Sequence, residues 1–227
     1  MNNQKRNAIL GFAGAVLFMI GDCLLYVYPG RDMNLDIDPI FAEMPVWRFT
    51  VSAFCGFFGM VFMLFGFQSL YSMTQKVCGR IMQGLMIAGV AGVGGTAFAH
   101  FNLGSLMPLT YKAVLSTGES ADIATKACES MMAWITPIDI VIIVALYIQL
   151  IVLGYMILSG KSGLRRWYIL VSPIGAICLG ILWAVIFKGT LLEGGWGSCE
   201  SLGEGLMYIT AYSYWKKRGE EKNEEIK

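Results

Sequence analysis

Charge is scarce in this chain: only 15% of its 227 residues are Asp, Glu, Lys or Arg, while 56% are apolar. A soluble domain usually carries about 25% charged and about 45–50% apolar residues, so a water-soluble globular fold is excluded. Neither sign of charge is in excess. Lys and Arg number 17 against 16 for Asp and Glu, which leaves no basic field to hold a nucleic acid and no net repulsion to keep the chain disordered. Histidine occurs once. With no H-E-x-x-H or C-x-x-C spacing, the multi-histidine and thiolate metal motifs are absent too.

What the chain has instead is long apolar runs. A helix needs roughly 20 apolar residues to cross the hydrocarbon of a bilayer, where its backbone must satisfy its own hydrogen bonds. Six segments qualify, at about 7–28, 47–73, 81–102, 134–158, 167–187 and 195–215. They are far too long for the roughly 10-residue alternating strands of a membrane barrel. The expected fold is an all-α, polytopic six-helix transmembrane bundle over residues 1–218, followed by a short charged, disordered tail at 219–227.

Orientation follows from the basic residues that flank the spans. Lys5 and Arg6, Lys76 and Arg80, Lys161, Arg165 and Arg166, and Lys216, Lys217, Arg218, Lys222 and Lys227 all fall on one side, twelve of the seventeen in all. That side is read as cytoplasmic and holds both termini, in the plasma membrane. Its net charge is about +8 and that of the other side about −7. Trp47, Trp134, Trp167, Trp196 and Trp215 sit at span ends, the depth amphipathic rings prefer. The first span has Lys5 and Arg6 before it but no convincing cleavage site, and reads as a retained signal anchor.

Two outer loops are long. Residues 29–46 carry three prolines and the acids Asp32, Asp36, Asp38 and Glu43. In residues 103–133, Pro108 starts one short helix and Ser120 caps another through Met132, with Ile123, Ala127 and Met131 on one face. Pro137 is expected to kink the start of the fourth span. Gln68 and Gln149 are expected to bond between helices. Six scattered cysteines are expected as free thiols; Cys128 and Cys199 both fall on the outer side, where a disulfide is open to them, but spacing alone does not establish it.

Ionisable residues inside a span cost several kcal/mol unless they face protein or water, so they are functional candidates. Asp22, Arg48, His100, Asp139, Glu200 and Glu204 all fall in the outer half. Glu200 and Glu204 are four apart and share a helix face. His100 continues a stripe of Ala88, Gly92 and Thr96, and Asp22 shares a face with Gly11 and Ala15; small residues mark helix–helix contact. Glycine-rich span three, with Gly84, Gly89, Gly92, Gly94 and Gly95, reads as the central helix. Four chemistries stay open. Arg48 pairs with Asp22 or a span-six glutamate and locks the bundle. Alternatively His100, Glu200 and Glu204, with Asp139, hold a metal. The acids take a cationic or polyhydroxyl ligand, or couple its movement to protons. Lastly, His100 and a carboxylate act as acid and base on an amphiphile.

The pattern of Gly21-Asp22, Trp47-Arg48, His100 and Glu200-Ser201-Leu202-Gly203-Glu204 resembles uncharacterised bacterial six-helix membrane families over most of the chain. Such a resemblance implies the fold and no activity. The six-span plan with both ends inside is similar in architecture to the substrate-binding subunits of energy-coupling-factor vitamin transporters. Their alanine-spaced coupling motif is matched only roughly by Gly11, Ala13 and Ala15. The several histidines of ceramidase-type hydrolases are missing. The function expected is binding of a small molecule or lipid from the bilayer side or the outer face, as a component of transport; an enzyme and a purely structural protein are the alternatives.

Overall fold

The apolar runs coil into helices, and the breaks fall where Pro, Gly or a polar cap interrupts them. In this computed structural model the backbone is described for residues 3–31, 37, 39–162 and 164–224, without the side chains of 77, 146, 149, 150, 171, 173, 200 and 220–224. The loop acids Asp32, Asp36 and Asp38, and the side chains of Gln149 and Glu200, therefore lie outside the described residues. Among the described residues seven α-helices carry the fold: α1 (Asn3–Tyr26), α2 (Val46–Val77), α3 (Arg80–Phe101), α4 (Met107–Ser116), α5 (Ala121–Leu158), α6 (Pro173–Ile186) and α7 (Cys199–Glu224). Among them too there is no strand. Four helical stretches of the described residues are long and apolar enough to cross a membrane: Asn3–Tyr26, Val46–Lys76, Arg80–Ser116 and Ala121–Ala145.

The boundaries depart from the expected spans in physically instructive ways. Ser120 caps α5, its side chain accepting from the Ile123 N–H at 3.3 Å. That helix then runs unbroken for 38 residues with Pro137 inside it. At 1.5 Å per residue it is about 57 Å long, nearly twice the hydrocarbon thickness, so the surface helix and the fourth span are one rod. Its buried face near the start is Ala124 and Cys128, whereas Ile123 is exposed. The fifth segment is split. A 3-10 stretch at Arg166–Val171 precedes α6, whose 14 residues reach only about 21 Å. Helix α7 is described through Glu224, and the last residues of the charged tail expected at 219–227 lie outside the described residues.

The central helix is α1, packed between α2 and α7; α3 packs on α2 and α5, and α6 on α7. Glycine count therefore misled about centrality. Gly84 and Gly94 of α3 face open space, as a β-carbon there would meet nothing within 4 Å. Of the expected stripe, Gly92 and His100 are buried, Thr96 is half-buried and Ala88 is exposed; the buried residues of α3 are Met86, Gly89, Gly92, Val93, Ala97 and His100. The closest helix contact is the α1–α2 seam. A β-carbon on Gly11 would lie 2.4 Å from Gly66 Cα, and one on Gly14 would lie 2.4 Å from the Gly59 carbonyl oxygen.

Two apolar cores flank the middle of the molecule. One gathers Leu70, Met73, Met86, Met156, Tyr208 and Trp215 toward the end where α1 starts beside the last turns of α7, since a β-carbon on Gly219 would sit 3.5 Å from Lys5 Nζ. The other gathers Leu25, Phe41, Met44, Phe49, Tyr111 and Cys128 at the opposite end. There a π-helical turn at Asn102–Leu106 links α3 to α4 and turns Asn102, Gly104 and Ser105 inward together. Ser105 Oγ donates to the Phe49 carbonyl at 2.7 Å. Lys112 Nζ binds three carbonyls of the preceding loop, those of Phe41, Ala42 and Met44, at 2.6–3.2 Å.

The seam makes a sharp prediction. Gly11→Ala or Gly14→Ala forces backbone apart and is expected to destabilise by about 1–3 kcal/mol. Gly94→Ala adds only helix propensity and is expected to be neutral or to stabilise by up to about 1 kcal/mol. Thermal unfolding in one detergent distinguishes them; equal effects at the three positions would refute the seam.

Candidate functional site

Between the two cores, the α1 and α3 stripes bring Asp22 and His100 into contact. Asp22 is 6% and His100 8% exposed, and His100 Nδ1 lies 3.1 Å from Asp22 Oδ1. The imidazole fills a notch left by two glycines. A β-carbon on Gly56 would lie 2.4 Å from His100 Cδ2, and one on Gly21 would lie 3.1 Å from Nε2. Phe18 covers the ring at 4.7 Å between centroids. The second oxygen of Asp22 is taken by α7, where the Ser201 hydroxyl donates to Oδ2 at 2.9 Å.

On its far side His100 meets Ser52, with Nε2 at 2.9 Å from Ser52 Oγ and 3.1 Å from the Ser52 carbonyl oxygen. Ser52 Oγ in turn donates to the Gly21 carbonyl at 2.9 Å. Nε2 is thus engaged with Ser52 on one side of the ring and Nδ1 with Asp22 on the other.

These distances look like those of a serine–histidine–aspartate nucleophile, but the serine is out of a substrate's reach. Ser52 bonds the Gly21 carbonyl as well, is fully buried, and does not line the adjoining cavity. Among the described residues no group of three His, Cys, Asp or Glu is placed to hold a metal ion.

Asp22, His100, Ser201 and Glu204 line a cavity of about 310 Å³ enclosed by α1, α3, α5 and α7. Glu204 is 5% exposed, and its Oε2 accepts from the Tyr208 hydroxyl at 3.3 Å. The remaining wall is mostly apolar, with Phe18, Leu25, Met63 and Ile142. Next to it lies a second cavity of about 270 Å³ reaching Arg31, Phe41 and Trp196. Leu25, Tyr26, Leu103, Gly104 and Gly197 line both.

Of the six residues singled out from sequence, three line one cavity: Asp22, His100 and Glu204. Asp139 is buried on α5 one turn before Ile142, with Oδ1 lacking a hydrogen-bond partner, but it does not line that cavity. Arg48 does not reach Asp22. Its guanidinium caps the end of α1, donating to the carbonyls of Leu24 and Val27 at 2.8 Å each and resting 5.2 Å from the Tyr28 ring centre. The backbone of Glu200 lies on α7, and its side chain is outside the described residues. Gln68 does bond between helices, accepting from Asn7 Nδ2 at 2.9 Å. All six cysteines are free; Cys128 sits in the core beside Met107, and Cys199 packs near Gly180.

Sequence reasoning passed over Ser52, Ser201 and Tyr208 as site residues. A usable signal existed for the first: Ser52, Gly56, Gly59 and Gly66 form a small-residue face on α2 that mates with Gly11, Gly14 and Gly21 on α1.

Over residues 1–218 the chain belongs to a family of unknown function, DUF6796. No curated protein and no solved structure matches it.

Removing either partner of the buried pair leaves the other without compensation. Asp22→Ala and His100→Ala are each expected to cost about 3 kcal/mol or more. The double variant is expected to cost less than their sum, by more than about 1 kcal/mol. Chemical unfolding in mixed micelles reads the cycle, and simple additivity would show that the two groups are not coupled.

Proposed function

We propose that this is an integral membrane protein that binds a small molecule or lipid in the Asp22–His100–Ser201–Glu204 cavity. The observation that carries this reading is the convergence of three helices' polar side chains on one cavity within otherwise apolar segments. Buried ionisable groups are costly, and a merely structural cluster fills its own volume; this one borders a cavity of about 310 Å³. Binding is favoured over catalysis because both nitrogens of His100 are engaged and the adjacent Ser52 is fully buried away from the cavity.

The reading includes a topology. The protein sits in the plasma membrane with six spans and both termini cytoplasmic, and α6 with its preceding 3-10 stretch makes the fifth crossing. Supporting this, the terminal end carries the basic excess, and Lys5 lies beside Gly219. The cavity then belongs to the outer half of the bilayer, a position suited to the substrate site of a transport component.

Native mass spectrometry of protein extracted from its own membrane, with elemental analysis, tests the binding reading. A retained organic ligand is expected on the wild type and is expected to be lost in Glu204→Gln and His100→Ala. Adducts that persist unchanged in both variants would defeat it. The topology is checked by maleimide labelling after Cys178→Ser. Cysteine placed at Glu119 is expected to react in intact cells, and cysteine at Lys217 only after permeabilisation; the reverse pattern would invert the protein.

A further inference from the structure

The cavity has two possible ways in, and they are built differently. Toward the second cavity it is closed by tight packing. Leu25 rests on Gly104 so closely that a β-carbon there would lie 2.3 Å from Leu25 Cδ1, and Tyr26 is held against Gly197, whose β-carbon would lie 2.7 Å from Tyr26 Cδ2. Toward the side it is not closed. Helix α5 packs along α3, and α7 packs along α1 and α6, but α5 and α7 share no packed seam among the described residues. The α5 residues that line the cavity on this side, Ile143 and Tyr147, are 48% and 53% exposed. They belong to an exposed apolar face that continues through Ile140, Val144 and Ile151, so the opening lies in the part of the protein that meets hydrocarbon.

Resting on the binding reading above, we propose that the ligand is a single-chain amphiphile with a cationic, amine-type head that enters sideways from the bilayer between α5 and α7. Size and charge support this class. A volume of about 310 Å³ is at the bottom of the range for small-molecule sites, enough for a head and its first carbons while the rest of the chain trails past Tyr147. The lining contains two carboxylates and neither lysine nor arginine.

The test uses full-length protein in phosphatidylcholine nanodiscs with a diazirine-bearing dodecylamine as probe and peptide mapping as readout. Labelling is expected within residues 142–147 and 201–204, with dodecylamine competing and butylamine and dodecanoate failing to compete. Glu204→Gln is expected to reduce labelling about tenfold, the usual cost of a lost charge-assisted contact. Ile143→Trp, at the opening, is expected to reduce it similarly, whereas Ile151→Trp, on the same exposed face, is expected to leave it unchanged. Butylamine competing as well as dodecylamine, with Ile143→Trp silent, would overturn sideways access and the amphiphile while leaving the cavity a binding site. Equal competition by dodecanoate would overturn the cationic head. Failure of both segments to label above an unrelated membrane protein would overturn the proposal. If wild-type protein also retained no ligand from its own membrane, the binding reading would fall with it.

Discussion

Everything around the site depends on how closely α1 and α2 approach. Gly11 against Gly66 and Gly14 against Gly59 bring the two backbones into contact. Further along the same seam, Gly21 and Gly56 keep the side-chain space empty, and the imidazole of His100 from α3 fills it. In a bilayer there is no hydrophobic force between helices, so close packing and hydrogen bonds across the seam must supply the association. The glycines serve both needs. They let the helices touch along most of the seam, and they leave a histidine-sized notch where a carboxylate, a hydroxyl and two carbonyls converge.

The placement of charge follows from the same scarcity of solvent. Two basic side chains near the Asp22 end, Arg48 and Lys112, find carbonyl oxygens that helix geometry leaves without partners. Arg48 takes those at the end of α1, and Lys112 takes three in the loop before α2. Helix C-termini expose such oxygens and carry partial negative charge, so cations settle there without a carboxylate. Asp22 is thereby left to the histidine, a hydroxyl and the cavity. Had Arg48 reached Asp22, a mutually neutralised pair would fill the space.

Much of this was legible in the residues, for a definite reason. An ionisable group within an apolar run is conspicuous, and helical phase then says which side it faces, so Asp22, His100 and Glu204 stood out and do share one cavity. Hydroxyl-bearing residues are common on membrane helices and satisfy themselves on the preceding turn, as Thr74 and Thr210 do here. Nothing in composition marks Ser52 and Ser201 as different. Arg48 was misread because its acceptors are backbone atoms, which no side-chain pattern displays. Helix α3 was misjudged as central because glycine count records an absence of side chain; whether a neighbour uses the space depends on the partner face.

Hydrogen bonds hold the floor of the cavity before any ligand arrives. His100 is engaged by Ser52 on one side and Asp22 on the other, and Ser201 donates to the second Asp22 oxygen. The pair therefore works as a rigid floor. Glu204 lines the same cavity one turn along α7 from Ser201, and the Tyr208 hydroxyl donates to its Oε2. That contact favours an accepting carboxylate. A positive head arriving from the hydrocarbon would meet carboxyl groups already held in place, so little reorganisation would be needed on binding.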